Sequence, residues 1–349
     1  MTDPSPIAPA DGLPEPGPAA RQPARSTSEI VTRFLAANFT DALPYILVPV
    51  LFILSVIFIP GYFSKLSIIS LLILASLLGL ASLGQTITII AGGIDLSIPA
   101  VIGLSDIIVT QLYYKHWPLP VIFLAIAALA IFIGTVSAVS SVLLHVHSLI
   151  TSFGMSLVVS GVALEWSNGA VNGAVPGWLT SSVSAIGHTG PIPIPAIIIV
   201  WAVASVLAVA FLRLTRVGRE TYALGANPVA ARLAIVRSTW TLVVAFCISA
   251  LCAAMVGVFF AGYSGIPDPT VGVPYFFLTI TAVLIGGTSL LGGRGGYQRT
   301  VMGALIVAEL TTLLVGVGFS ASFQELALGI LVIALTSTYG RELKVAAKI

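Results

Sequence analysis

Residues 213–237, RLTRVGRETYALGANPVAARLAIVR, carry five arginines in a chain that is otherwise almost wholly apolar. Of its 349 residues, 57% are hydrophobic and only 8% are charged, and the mean hydropathy is +1.07. Apolar runs of about 20 residues, long enough to cross a bilayer, flank this stretch on both sides. The sequence therefore predicts an all-α, polytopic helical membrane protein in which the arginine-rich stretch is a loop that faces water.

Apolar runs between residues 43 and 340 predict about ten transmembrane helices, with broken helices near the glycine-rich motifs. The predicted spans are 43–60, 67–91, 97–113, 119–143, 148–166, 192–212, 240–263, 274–291, 300–318 and 323–338. The third and eighth are short or glycine-rich, which is typical of broken or partly re-entrant helices.

The two ends of the chain differ from this transmembrane domain. Residues 1–25 are rich in proline and poor in large apolar side chains, which predicts a disordered tail. Residues 26–42 read as an amphipathic interfacial helix that lies along the membrane surface. Residues 341–349 form a short C-terminal tail.

The 15 lysines and arginines predict the orientation. With the N-terminus in the cytoplasm, all of them except Lys65 and Lys115 fall on the cytoplasmic side, as the positive-inside rule requires. The opposite orientation reverses this asymmetry. Both termini and the loop at 213–239 are therefore predicted to be cytoplasmic, and the long connection at 167–191 is predicted to lie outside.

The cytoplasmic loop contains a helix start. Asn227 can accept hydrogen bonds from free amides of the first turn, and Pro228 suits the first helical position. Gly225 is expected to allow a tight or left-handed turn before it. A short helix here can receive force from a soluble partner. The alternative is that the arginines only satisfy the positive-inside rule, which is the favoured account of Arg213 and Arg216.

A second motif, AGGIDLSIP at residues 91–99, predicts a break between two apolar helices. Gly92 and Gly93 end the first helix, and Asp95 or Ser97 can cap the second. Such breaks occur in membranes only where protein or a water-filled cavity covers the freed backbone groups. Two interpretations of Asp95 stay open: a cap at the cytoplasmic surface, or a group on a solute pathway.

A third motif, IGGTSLLGGRGGYQR at residues 285–299, is another glycine-rich break, and its small residues allow close contact between backbones. Arg294 and Arg299 are expected to reach the cytoplasmic face. The chain contains no Gly-Lys-Ser or Gly-Lys-Thr, so it has no phosphate-binding P-loop of its own. His145 and His147 lack further ligands nearby, so no metal site is expected.

Together, AGGIDLS (91–97), YALGANPVAARL (222–233) and IGGTSLLGGRG (285–295) resemble the transmembrane permease of bacterial ABC importers for simple sugars, the group that includes the ribose, xylose and arabinose permeases. The resemblance implies a transport subunit of the inner membrane with no catalytic residue and no cofactor of its own. ATP and Mg²⁺ would bind a partner subunit. The implied partners are a second permease copy in a homodimer, ABC ATP-binding subunits, a periplasmic solute-binding protein and membrane lipid, with no nucleic acid.

The resemblance also implies three groups of functional residues. The loop between the sixth and seventh spans would supply a coupling helix at residues 227–236, and the outer loops 167–191 and 264–272 would receive the binding protein. The residues implied for ATPase coupling are Gly218, Arg219, Glu220, Gly225, Asn227, Pro228, Ala231 and Arg232. Those implied for the translocation path or a helix break are Gln85, Gly92, Gly93, Asp95, Ser97, Gly286, Gly287, Thr288 and Ser289. Those implied for binding-protein docking are Trp178 and Asp268.

Other functions are weighed against this one. An ABC permease for a nucleoside, an autoinducer or a branched-chain amino acid would share the layout of the coupling loop. A stand-alone secondary transporter would need paired intramembrane charges and internal pseudo-symmetry, and neither is clear. A membrane enzyme would need a compact catalytic constellation, which is absent from the sequence. The sequence thus favours import of a monosaccharide or a related small polar solute and does not identify it.

Overall fold

The computed structural model describes the backbone of residues 27–168 and 172–346, and the side chains of residues 42–168, 172–320 and 322–334. The tail predicted at residues 1–25 lies outside the described residues. Within them, the backbone forms thirteen α-helices and no β-strand, so the predicted all-α class is confirmed. The helices are α1 (Thr27–Phe58), α2 (Lys65–Ile90), α3 (Ile98–Tyr114), α4 (Leu119–Leu144), α5 (Ser148–Ser167), α6 (Gly177–Val183), α7 (Ala196–Leu214), α8 (Arg216–Ala226), α9 (Pro228–Leu233), α10 (Ser238–Ser264), α11 (Tyr275–Ile285), α12 (Tyr297–Gly316) and α13 (Ala321–Ala346).

All helices except α6, α8 and α9 overlap predicted spans. Six of them, α2, α4, α5, α7, α10 and α12, are long and apolar enough to cross a membrane, which makes this a multi-pass membrane protein. Shorter apolar stretches lie in α1, α3, α11 and α13. The exact number of crossings, ten, stays a prediction. The boundary predicted at residue 42 between an interfacial helix and the first span stays a prediction.

Helices α2 and α10 occupy the centre of the bundle. α10 packs against α2, α3 and α4, and α2 also contacts α7, α11 and α12. Small residues allow this packing: a Cβ atom on Gly84 of α2 would lie 2.8 Å from the hydroxyl of Ser249 on α10. A Cβ atom on Gly257 of α10 would lie 2.8 Å from Cβ of Ser105 on α3. Close backbone approach of this kind is how helices associate in lipid, where no hydrophobic effect drives them together.

The eighth predicted span, 274–291, is a short helix followed by a loop. α11 has 11 residues, which at 1.5 Å per residue give a length of about 16 Å, roughly half of the hydrocarbon thickness of about 30 Å. The helix ends where Gly287 adopts a left-handed φ of +79° and the Thr288 amide donates to the Val283 carbonyl at 3.2 Å. The structure thus favours the broken-helix form of this span over a continuous one.

The segment before α11, residues 265–274, runs back along α3. The backbone amide of Asp268 donates to Oδ2 of Asp106 at 2.7 Å. Farther along, Gly272 lies so close to the carbonyl of Pro99 that a Cβ atom on it would overlap that oxygen. From Asp106 to Pro99 the helix axis covers about 10 Å. The loop predicted to be wholly external therefore enters the bundle, and α11 begins beside the N-terminus of α3.

Candidate functional site

The three sequence motifs meet in one place, through four glycines that we call the glycine junction: Gly92, Gly225, Gly292 and Gly293. The amide of Gly293 donates to the carbonyl of Ile90, the last residue of α2, at 2.9 Å. A Cβ atom on Gly292 would lie 3.0 Å from both Cα of Gly92 and the carbonyl oxygen of Gly225. One on Gly225 would overlap the Ile90 carbonyl and lie 2.6 Å from the Gly293 nitrogen. Three separate backbones are therefore in direct contact.

Two different physical requirements select glycine here. Gly92, Gly292 and Gly293 have left-handed φ values of +86°, +82° and +68°, which residues with a Cβ atom rarely adopt. Gly225 was expected to form a tight or left-handed turn, but it lies inside helix α8. This interpretation is corrected: Gly225 is required for close approach to Ile90, with no special turn at its own position.

Both glycine-rich motifs end a helix in the same way. After α2, Gly92 is left-handed and the amide of Gly93 donates to the carbonyl of Thr88 at 2.8 Å. After α11, Gly287 and Thr288 repeat this arrangement with Val283 as acceptor. This is the Schellman closure, which supplies partners to carbonyls at a helix end. The predicted helix stops at Gly92, Gly93, Gly286 and Gly287 are therefore present in the structure.

Asp95 and Ser97 stabilise the break and do not cap α3 with their side chains. Asp95 Oδ1 accepts from the backbone amide of Ser97 at 2.9 Å and from its hydroxyl at 2.6 Å. Ser97 stands at the N-cap position but makes no side-chain capping bond. Asp95 is only 2% exposed, and its Oδ2 has no hydrogen-bond partner among the described residues. The carboxylate thus lies in the interior, whereas a surface cap would be accessible to water.

Two serines that the sequence analysis missed cover the backbone of this break. Ser148 Oγ accepts from the amide of Ile94 at 3.2 Å, and Ser152 Oγ accepts from the amide of Leu96 at 3.0 Å. The hydroxyl of Ser152 also lies 3.0 Å from the carbonyl of Ile94, to which it donates. Their i, i+4 spacing places both hydroxyls on one face of the helix but does not indicate which backbone they contact. These hydroxyls replace the hydrogen bonds that water would give outside a membrane.

Helix α8 is anchored to its neighbours at its N-terminal end. Thr215 Oγ1 accepts from the amide of Gly218 at 3.0 Å, and a Cβ atom on Gly218 would lie 2.7 Å from Leu212 Cα at the end of α7. Glu220 pairs with Arg216 at 2.7 Å and accepts from the hydroxyl of Thr241 on α10 at 3.3 Å. Gly218 and Glu220 thus position α8. Arg219 is exposed, and its guanidinium donates to the carbonyl of Leu214 at 3.1 Å.

The predicted helix after Asn227 exists as α9, but it ends at Leu233, three residues short of the predicted end at 236. Asn227 Oδ1 accepts from the amides of Val229 and Ala230, each at 3.0 Å. Ile235 has a left-handed φ of +59°, which the helix cannot continue through.

Exposed apolar side chains lie on α9 and just after its end. The side chains of Leu233 and Ile235 are 82% and 84% exposed, and Val229 is exposed beside them. Ala231 faces inward and is buried, whereas the exposed Arg232 donates to the carbonyl of Pro228 at 3.2 Å. Exposed apolar side chains grouped within a few residues of a loop are typical of a protein interaction site.

Replacing Asn227 by alanine should weaken α9, because two first-turn amides lose their acceptor at a cost of about 1 kcal/mol. A six-residue helix has little stability of its own to absorb that loss. For the transport that the sequence resemblance implies, we expect uptake to fall about fivefold, the factor that corresponds to this energy, with unchanged amounts of protein in the membrane. Uptake assays with immunoblotting would measure both. Asn227→Asp retains an acceptor oxygen and should stay near the wild type; equal loss in both variants would contradict the capping role.

The remaining predicted site residues are mostly buried. Both amide atoms of Gln85 and the hydroxyl of Thr288 lack a hydrogen-bond partner among the described residues. Ser289 closes the third motif, its amide donating to the carbonyl of Arg294 at 3.2 Å. Two cavities, of about 360 and 620 Å³, are lined by other residues, including Tyr263 in the first and Trp117 in the second. Of the residues predicted for the translocation path, Gly92 is exposed and Gly287 and Ser289 are half-buried. The others are buried in the packed chain: Gln85, Gly93, Asp95, Ser97, Gly286 and Thr288.

The two residues predicted to contact a binding protein lie apart from the glycine junction, in the connections that follow α5 and α10. Trp178 on α6 is 51% exposed, and its ring packs edge-on against Phe123 at 6.3 Å between centroids. Asp268 is half-buried, and its carboxylate accepts from the amide and the hydroxyl of Thr270 at 2.8 and 2.7 Å. Trp178 is therefore accessible, whereas Asp268 mainly shapes its own loop.

Comparison with known proteins shows that the chain is similar to permease components of import systems. Residues 67–336 match the model of a family described as the permease component of branched-chain amino acid transport systems. The ribose import permease of Bacillus subtilis is 31% identical over 301 residues, which are 83% of this chain and 89% of that protein. The ribose import permease of Haemophilus influenzae is 29% identical, over 80% of this chain and 87% of its own. The autoinducer 2 import system permease of Escherichia coli is 29% identical, over 76% and 77% respectively. No solved structure gives a significant match.

Proposed function

We propose, since this chain belongs to the family of permease components described for branched-chain amino acid transport systems, that it is the membrane-spanning subunit of an ATP-driven importer for a monosaccharide. As a permease it is a transport subunit, and it makes or breaks no bond in its solute. The observation that carries the proposal is α9: a capped helix with exposed apolar side chains, which rests on α8 and through it on both glycine-rich helix breaks.

The sugar is inferred from the relatives. Ribose is the solute in the names of the relatives from Haemophilus influenzae, Escherichia coli and Bacillus subtilis. Autoinducer 2 is the second candidate, because a permease for it has similar identity to this chain. Both are small polar molecules. The family description alone would also allow a branched-chain amino acid.

The partners follow from the same inference. ATP-binding subunits would contact α9 and its loop in the cytoplasm, and a solute-binding protein would contact the opposite side around Trp178. A second copy of the chain would complete the translocation path, and lipid would surround the apolar helices of both copies. The charge asymmetry favours this orientation, with both termini in the cytoplasm of a bacterium.

The direct test is reconstitution of the full chain in liposomes with ATP-binding and solute-binding proteins from the same organism. We expect ribose-loaded binding protein to raise ATP hydrolysis and to drive uptake of labelled ribose. Stimulation by autoinducer 2 or leucine with no response to ribose would favour the alternative solutes. Uptake without any ATP-binding protein would overturn the importer function.

A further inference from the structure

We infer that the glycine junction is a relay that carries a displacement of α9 to both helix breaks at once, so that α3 and α11 move together. The inference rests on the proposed function, because it requires an ATP-binding subunit to act on α9. The proposed function requires only that α9 contacts an ATP-binding subunit. The inference adds a mechanical role for Gly92, Gly292 and Gly293.

The first link joins α9 to α8. Asn227 ends α8 with its amide, which donates to the carbonyl of Ala223 at 3.2 Å, and caps α9 with its side chain. One residue thus belongs to both helices. A displacement of α9 is passed to α8 with little loss, because no flexible linker separates them.

The second link joins α8 to both glycine-rich loops. Gly225 lies against the carbonyl of Ile90 and the amide of Gly293, and the Tyr222 hydroxyl donates to the carbonyl of Gly295 at 2.9 Å. A Cβ atom on Gly293 would lie 2.6 Å from Cα of Ala226. These contacts are largely between backbones, which have no side-chain rotamers to take up a movement, and closely packed interiors transmit strain.

The third link joins the loops to helices that begin inside the bundle. From Gly92 the chain leads through the Asp95 turn into α3, and the third motif leads back from Gly293 to α11. The starts of α3 and α11 touch again where Gly272 meets Pro99. The segments 92–99 and 272–292 therefore contact each other at both of their ends, which favours movement of α3 and α11 as one unit.

The main test compares two left-handed glycines that differ only in their neighbours. Gly292 has φ +82° and contacts Gly92 and Gly225, whereas Gly61 has φ +76° and a Cβ atom added to it would meet nothing within 4 Å. In the reconstituted complex, we expect Gly292→Ala to lower uptake of labelled ribose about tenfold. Co-purification of the ATP-binding subunits should stay unchanged. Gly61→Ala should leave uptake within about twofold, since it carries the same backbone cost alone.

A second variant keeps the test valid if Gly292→Ala does not fold. Tyr222→Phe removes only the hydroxyl that bonds to Gly295. We expect about fivefold more ATP hydrolysed for each ribose imported, which is the factor that the loss of one hydrogen bond corresponds to.

A readout independent of the solute uses Thr270→Cys, on the exposed part of the segment before α11. Its labelling by a membrane-impermeant maleimide should change when ATP is trapped with vanadate, and this change should be lost in Gly292→Ala and reduced in Tyr222→Phe.

The outcomes separate the relay from the proposed function. If the wild-type chain binds no ATP-binding subunit, the proposed function fails. If the complex assembles but Gly292→Ala and Tyr222→Phe retain wild-type uptake per ATP and a wild-type labelling response, the relay is overturned. Loss of co-purification in both variants would also overturn it, because the junction would then shape the docking surface.

Discussion

Replacing Gly225 by valine is expected to abolish transport while the chain still inserts into the membrane. A Cβ atom at this position would overlap the carbonyl of Ile90 and lie 2.6 Å from the nitrogen of Gly293. Both neighbours are backbone atoms, so no change of rotamer can relieve the overlap, and α8 must shift away from both glycine-rich loops. Overpacking of this kind typically costs about 1–3 kcal/mol. Uptake of labelled ribose and the amount of membrane-inserted protein would be measured together.

Gly161→Val and Gly329→Val are the matched controls. These glycines lie in α5 and α13, and a Cβ atom on either would meet nothing within 4 Å. Both variants carry the same change in helix propensity without the overlap, so they should transport normally. Wild-type uptake by Gly225→Val would contradict the requirement for close approach at the junction.

Replacing Asp95 by alanine is expected to destabilise the break between α2 and α3 and to lower transport about tenfold. The amide and the hydroxyl of Ser97 would lose their common acceptor in a fully buried position, and an unpaired buried group costs about 1–3 kcal/mol. Removal of a carboxylate that has no cationic partner among the described residues would offset part of this loss. Thermal unfolding of the detergent-solubilised protein and ribose uptake would measure both effects.

The conservative variant Asp95→Asn distinguishes the hydrogen-bonding role of Asp95 in its turn from a requirement for its negative charge. Its amide oxygen can accept the same two hydrogen bonds, so both Tm and uptake should stay close to those of the wild type. If Asn and Ala lower uptake equally while Tm is unchanged in Asn, the negative charge itself is needed, which would restore the pathway interpretation of Asp95. Unchanged behaviour of both variants would show that the Asp95 turn is dispensable.

The predicted spans agree with the structure where a long apolar run meets a clear end signal. α4 (Leu119–Leu144) and α10 (Ser238–Ser264) lie within two residues of their predicted bounds, because Pro118 precedes α4, Arg237 and Gly265 flank α10, and the polar His145 follows α4. The eighth span differs because composition does not distinguish a crossing helix from an extended segment that enters the bundle. Only the bond from Asp268 to Asp106 and the contact of Gly272 with Pro99 show where α11 begins.

In the candidate site, too, roles that depend on neighbouring residues could be predicted, whereas roles that depend on distant contacts could not. Asn227 and Pro228 act on residues next to them in the chain, so their role could be predicted from local chemistry. Ser148 and Ser152 act on residues more than fifty positions away, and nothing local marks them as partners of Ile94 and Leu96. Tyr222 was missed for the same reason, since its partner Gly295 lies 73 positions away.

The sequence alone determined that this protein lies in a membrane, that it is helical and where its three motifs stand. The length of apolar runs, the placement of charges and the conformation of glycines depend on a few neighbouring residues. Only the tertiary structure decided that these motifs form one junction. It also showed that position 225 requires glycine because a Cβ atom there would overlap the Ile90 carbonyl, and that Asp95 is buried. Such facts depend on which distant backbones touch, and the packing of the whole bundle sets those contacts.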